Sequence, residues 1–472
     1  MRFNIFQVAS YPPERCGIGT YTQDSITELQ GIEGVNSVSV AAIDSSNKKI
    51  TYNSPVDKRA IINAFDKSSW NRAAVAILDI ANNREYPTCV ILQHEFGLDK
   101  TSEKDAYQHM AKILKEVGSE KIVTLLNLHT VLRNPDEKQL RAMKDLSEIV
   151  DGITIPTLSS IEILTQEPYN FPQSKLKHID HGIRMQDIGE INREDVRKKY
   201  GLEGRCLVLT LGLKSSGKGL DFGIKSYGRL MNTHFSKDSP ERKKLVYLIA
   251  GEYHPSFAAQ EPEEYKKCEE AIKKAIRSAG LKSIKITNLE KLTEAETEQN
   301  DIVIFEKFSD EFLLKELYAA SDIVLLPYRN IEQISSGNLA EAFGFGKPVI
   351  ATEFAYAKEL LRPGNLSDAK KQLKKGKELD TRGIVVKLRG KYRNMPDIDG
   401  LTEGLDFLVF HEAARVVIGK NARQRGYEMS WPNVSRELVQ YLGPILESRF
   451  ILKSPPVIVR RDSDSKELEK KD

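Results

Sequence analysis

The run Gly212-Leu213-Lys214-Ser215-Ser216-Gly217-Lys218-Gly219 follows a strand-like apolar segment, Arg205 to Leu213, and sets a lysine between two glycines. At the carboxyl end of a strand such a turn presents Lys218 as a point charge, with Gly212 bending the backbone, which suits a diphosphate. A solvent-facing turn lysine has the same spelling, so the run gains its meaning from its neighbours. The longest chemical segment is Leu326 to Thr352, where an apolar strand ends in a polar loop and Ser335-Ser336-Gly337 opens a helix of small residues that Gly346-Lys347-Pro348 stops. The N–H groups of Ser336, Gly337 and Asn338 at that helix start can face a phosphate. Glu341, about one turn further in, is placed for the vicinal hydroxyls of a ribose.

The first half of the chain offers smaller signals. Pro12 to Tyr21 carries Gly17 and Gly19 between the first strand and the first helix, where bare backbone N–H groups and the helix N-terminus favour an anion. Leu92-Gln93-His94-Glu95 and Leu126-Asn127-Leu128-His129 each put a histidine at the end of a buried strand. A lone histidine is more often structural, but two at successive strand ends face one cleft. His129 is therefore the first candidate for the active site, with His94 and Glu95 on the acceptor or sugar side.

The elements that must position these residues are short apolar runs alternating with longer amphipathic ones, the pattern of α/β domains with parallel, doubly wound sheets. Strands are expected near 3–9, 37–43, 88–93, 121–128, 152–156 and 177–180. A second series is expected near 205–213, 244–251, 302–305, 323–327, 349–352 and 383–386. The polar stretch 183–200, with Asn192 and Asp195, reads as a joint. The domains expected are 1–188, on the acceptor side, and 189–430, followed by a charged tail at 453–472.

With 472 residues, 40% apolar and 29% charged, the chain can build two cores, and no apolar run approaches the length that spans a bilayer. A formal charge of +3 gives no reason to expect nucleic acid. Lysines crowd 370–377, which reads as a solvated face and leaves peripheral contact with acidic lipid open. Four scattered cysteines read as reduced thiols, and the absence of a leader pattern at Met1 to Val8 suggests a cytoplasmic protein.

The segment around Glu341-Ala342 and Gly346-Lys347-Pro348 resembles the donor-binding signature of family 4 glycosyltransferases, in which two glutamates are separated by seven residues. The resemblance sets Glu341 as the second glutamate and Gln333 in place of the first, with Glu332 as a substitute beside it. It implies that Gln333 touches the transferred sugar and that Glu341 holds the ribose. In the lysine turn Lys218 matches the family, whereas Leu213 stands where an arginine is usual, which leaves Lys214 or Arg329 to complete the diphosphate grip. Gly251 to Pro255, including His254, and Phe308 to Leu313 also fit, Phe308 lying by the nucleotide base. Leu126 to Val131 resembles the family element whose histidine approaches the donor sugar, with Asn127 in place of threonine. His181-Gly182 resembles the turn at the domain joint, and Ser430-Trp431-Pro432 opens a terminal helix, 431–447, that crosses back to the first domain.

The resemblance implies the GT-B fold, two Rossmann-like domains facing a central cleft. It implies retaining transfer of a hexose, mannose or glucose, from GDP-mannose or UDP-glucose to a hydroxyl acceptor, with no metal and no cofactor. The one Asp-x-Asp spacing weighed, Asp462-Ser463-Asp464, sits in the tail. Two alternatives stay open: a glycoside phosphorylase of the same fold, and a non-catalytic sugar- or nucleotide-binding subunit.

Overall fold

The computed structural model describes residues 1–450 apart from 15, 46–49, 119, 187–190, 238, 254–260, 308 and 391–393. His254, Phe308, the tail 453–472 and the 188/189 boundary therefore lie outside the described residues.

The first sheet has seven parallel strands: β1 (Phe3–Ala9), β2 (Val35–Asp44), β3 (Ile62–Asn63), β4 (Thr88–His94), β5 (Ile122–Leu128), β6 (Gly152–Ile155) and β7 (Leu176–His178). Their order is β3-β2-β1-β4-β5-β6-β7. β1 and β4 are buried along their whole length, because crossover helices cover both faces of the sheet. Helices Lys67–Asn82 and Ala106–Gly118 close one face around Trp70, Tyr107 and Met110.

The second sheet repeats the plan with β8 (Cys206–Leu211), β9 (Leu245–Ala250), β10 (Ser283–Ile286), β11 (Ile302–Phe305), β12 (Ile323–Leu326), β13 (Val349–Thr352) and β14 (Gly383–Val386), ordered β10-β11-β9-β8-β12-β13-β14. The strand order reverses between β1 and β4 in one sheet and between β8 and β12 in the other, which opens a crevice beyond the strand carboxyl ends of each domain.

Twelve strands fall where the apolar runs put them. The two additions have weak sequence signals: β3 is two residues long, and β10 is an edge strand whose residues alternate between exposed and half-buried. Between the sheets, Asn192 caps helix Arg193–Lys199 by accepting the N–H groups of Glu194 and Asp195. The Gly346-Lys347 stop is a Schellman motif. Gly346, at φ +63°, and Lys347 send their N–H groups back to Phe343 and Ala342, a conformation that favours glycine. Lys347 does a second task, since its ammonium donates to the carbonyls of Ala319 and Ser321, each at 2.9 Å, and so closes helix Glu311–Ala320. Burial pulls the Lys347 amine down to about 7.

The terminal helix, Trp431–Phe450, leaves the second domain and lies beside the first helix on one face of the first sheet, where Leu442 and Leu446 join the core beside Ile5, Ile91 and Leu125. The crossing is pinned by two backbone hydrogen bonds, Ile183 N–H to Met429 (2.8 Å) and Trp431 N–H to Ile183 (3.1 Å). Trp431 packs with Ile179 and Val434, a structural role. A β-carbon on Gly182 would lie 2.3 Å from the Trp431 indole, a ring with nowhere to go. Gly182→Ala should therefore destabilise the protein by about 1–3 kcal/mol, read as a lower denaturant midpoint with an unchanged circular-dichroism spectrum.

Candidate functional site

At the carboxyl ends of β8 and β12 the lysine turn, the segment after β12 and the next helix start lock together. Gly212 has φ +118°, and a β-carbon there would stand 2.6 Å from the Asn338 amide nitrogen. That amide donates to the Leu211 carbonyl and, at 3.0 Å, to the Tyr328 hydroxyl. The Lys218 ammonium sits 3.9 Å from the centroid of the Tyr328 ring. Gly219, at φ +60°, passes so close to Pro327 that a β-carbon would meet its carbonyl at 2.0 Å. The lysine turn, the exit of β12 and the start of helix Gly337–Gly344 are thus one packed unit, with the Asn338 side chain spent on holding it.

The charges around this unit divide into spent and unspent. Lys214 is buried, pairs with Glu306 at 2.8 Å and lies over the Tyr253 ring, so its charge is already matched. Lys218 has no carboxylate partner among the described residues. Neither has Arg329, which donates to the Asn394 carbonyl and whose backbone N–H reaches Gly217. Of the two residues named to replace the missing arginine, Arg329 is the one with charge to offer. At the helix start, Ser336 accepts the Leu339 N–H at 3.3 Å, and Gly337 is exposed with no atom within 4 Å of where a β-carbon would stand. The Glu341 carboxylate has no hydrogen-bond partner among the described residues, and burial raises it to about 7 against the pull of Arg184.

The loop after β12 touches the first domain. Gln333 donates to the Ser335 carbonyl at 2.9 Å, and the Ser335 hydroxyl donates to the His129 carbonyl at 3.4 Å. Glu332 accepts the backbone N–H of Arg133 at 2.7 Å, so its carboxylate serves the meeting of the domains.

In the first domain His129 branches from a chain of buried and half-buried polar side chains that no chemical motif announced. Thr154 donates to Asn127 (2.7 Å), Asn127 to Gln93 (2.6 Å), Gln93 to Gln7 (2.9 Å) and Gln7 to Ser25 (3.0 Å). The signal was a polar residue, Gln7, Gln93, Asn127 or Thr154, inside each of four mostly apolar strands. Gln93 Oε1 also meets His129 Nε2 at 2.8 Å. An amide oxygen only accepts, so His129 carries its proton on Nε2 and keeps a lone pair on Nδ1. Burial, with His181 and His94 nearby, pulls the imidazole down to about 3, so it is neutral at ordinary pH.

His94 is buried against Phe96 and Tyr107, its Nδ1 has no hydrogen-bond partner among the described residues, and burial takes it to about 4. Glu95 accepts from the Thr130 hydroxyl and from the N–H groups of Phe96 and Gly97, while burial raises its carboxyl. Helix Gly17–Leu29 starts without a side-chain cap at Cys16. Gly17 faces open space, Gly19 is buried beside Tyr11, and Tyr21 sets its ring against His129, His181 and Trp431 at 4.9 Å each. The first helix therefore runs directly beside His129.

Residues 217–374 match the family model described as Glycosyl transferases group 1, a span that holds Lys218, Gln333 and Glu341. No curated protein matches the sequence. Three solved structures share the architecture. A glycosyltransferase from Rickettsia africae ESF-5 has a TM-score of 0.62 at 15% identity, over 96% of this chain and 100% of that one. Sucrose-phosphate synthase from Thermosynechococcus elongatus gives 0.63 at 14%, over 95% and 100%. Anabaena HepE, solved with UDP-glucose, gives 0.62 at 12%, over 93% and 99%. The chain thus has the GT-B fold, two parallel-sheet α/β domains with a helical C-terminus.

The neutral state of His129 is open to a direct check. With labelled histidine, the resonances of His94, His129 and His181 should hold their neutral positions down to about pH 5, well below an ordinary imidazole midpoint near 6.5. Gln93→Glu sets a carboxylate beside Nε2 and should move the His129 midpoint alone upward; an unmoved midpoint would contradict the hydrogen bond.

Proposed function

We propose that the protein is a retaining hexosyltransferase of the family 4 kind, moving mannose or glucose from GDP-mannose or UDP-glucose to a hydroxyl acceptor, with the nucleotide sugar as substrate and no resident cofactor. The observation that carries this reading is the unspent set on the second domain: Lys218 and Glu341, with no ionic or hydrogen-bond partner among the described residues, and a glycine-opened helix start between them in sequence. Lys218, Arg329 and the Gly337 N–H would hold the diphosphate, and Glu341 the ribose hydroxyls. Gln333 and His129 would meet the sugar at the line where the domains touch.

In the reaction proposed, the bond between the anomeric carbon and the diphosphate oxygen breaks and its electron pair leaves with the diphosphate. The acceptor oxygen bonds to the same face, and its proton passes to the departing phosphate. The enzyme's share is electrostatic: fixed positive charge meets charge that grows on the leaving group, in a cleft that excludes water. Anabaena HepE was solved with UDP-glucose, which supports a uridine donor, and a neighbouring trehalose-phosphate synthase from Burkholderia xenovorans was solved with glucose-6-phosphate, which makes phosphorylated sugars sensible acceptors to include. A cytoplasmic location belongs to the same proposal; no helix among the described residues is long and apolar enough to cross a membrane.

A panel of nucleotide sugars incubated with the purified protein, with and without sugar acceptors, tests the reading by release of free nucleoside diphosphate. Release from one donor, reduced at least about tenfold by Lys218→Ala, is expected. Sugar phosphate formed from a disaccharide and inorganic phosphate, with no diphosphate release, would sink it. The pH dependence follows from Glu341. The carboxylate is ionised only above about 7 when empty, and ribose hydroxyls donate to the ionised form. Donor affinity should therefore rise between pH 6 and 8 and level off. Glu341→Gln should bind about 10- to 100-fold more weakly and lose that rise.

A further inference from the structure

We infer that Glu359, aided by Glu332, is the latch that holds the cleft closed and sets His129 against the sugar loop. This rests on the transferase reading for its kinetic consequence but not for its geometry. Helix Leu158–Thr165 of the first domain does not cap itself: Thr157 makes no cap hydrogen bond, because its hydroxyl is paired with Ser160. The vacant position is filled from the other domain. The two oxygens of Glu359 accept the N–H groups of Leu158 (2.8 Å) and Ser159 (2.9 Å), and one of them also takes the Ser159 hydroxyl. A carboxylate on a helix N-terminus gains from the helix dipole as well as from each charge-assisted bond.

The latch is mechanically tied to the site. Glu359 lies on helix Ala355–Leu360, whose first N–H groups, Ala355 and Tyr356, donate to the carbonyls of Ile331 (2.9 Å) and Gln333 (3.1 Å). The helix carrying the latch and the loop carrying Glu332 and Gln333 therefore move together. On the facing side, Glu332 grips the N–H of Arg133, four residues beyond His129. Two carboxylates of the second domain thus clasp backbone N–H groups after β5 and β6. The Ser335 hydroxyl meets the His129 carbonyl on that same line. Opening the cleft breaks all of these contacts and leaves the helix N-terminus bare.

Glu359 is a positioning residue, so its test reads the domain arrangement as well as turnover. Glu359→Ala removes the acceptor from one side. Leu158→Pro removes one donor from the other: proline suits the first helical position, Thr157 before it is already extended, and the Leu158 side chain is 58% exposed. Both variants should stay folded, with a wild-type circular-dichroism spectrum, and keep their affinity for the free nucleoside diphosphate, which the reading places on the second domain alone. Both should show a larger radius of gyration by small-angle scattering and at least about tenfold lower turnover, the alanine variant more than the proline one. Scattering curves that superpose on the wild type, with turnover unchanged, would overturn the latch. If the wild type releases no nucleoside diphosphate from any donor while the variants still expand, the latch stands and the transferase reading falls.

Discussion

Four buried polar side chains and the half-buried Asn127, on the first sheet and the helix beside it, have to satisfy one another, and much else in the molecule follows from that constraint. Ser25, Gln7, Gln93, Asn127 and Thr154 cross from the first helix through β1, β4 and β5 to β6, each donating to or accepting from the next. A buried amide left unpaired costs about 1–3 kcal/mol, so the chain is stable only when complete and its directions are set. Its branch at Gln93 decides where His129 keeps its proton, and His129 in turn packs on Tyr21, which touches His181 and Trp431. The joint between the domains and the candidate active site therefore share one polar and aromatic core.

The second domain answers with a different economy. Its strand ends bring a lysine, an arginine, a helix N-terminus and a carboxylate together, and leave them largely unmatched. Lys214, which the family resemblance offered with Arg329 for the missing arginine, is removed from the set by Glu306. Unmatched charge in a cleft disfavours the empty protein and favours a ligand carrying the complementary groups. In the function proposed, the unmatched set would receive the nucleoside diphosphate, and the first half, with its neutral histidines, would face the sugar and the acceptor.

The sequence was legible where one local rule governs. Buried parallel strands read as apolar runs, and the Gly346-Lys347-Pro348 stop read as a helix end, although the Lys347 contact to another helix did not. Asn338 was read through its backbone N–H alone, and its side chain ties the helix start to Leu211 and Tyr328; Glu332 was read on the sugar side, and its carboxylate takes the Arg133 N–H. Neither partner is near in sequence, so no spacing could announce them. The polar chain beneath the first sheet is the opposite case. Gln7, Gln93 and Asn127 each interrupt an apolar strand, and the interruption was visible; its meaning needed the register that aligns Gln93 with Asn127 and Asn127 with Thr154.

The central claim is that a nucleoside diphosphate is held by the second domain between the lysine turn and the start of helix Gly337–Gly344. Hydrogen–deuterium exchange with and without saturating UDP or GDP measures this directly. Slowed exchange is expected in 212–219 and 335–342 with one of the two nucleotides, and little direct protection of the first-domain segment that contains His94. Protection confined to the first domain, or none with either nucleotide at saturation, would contradict it.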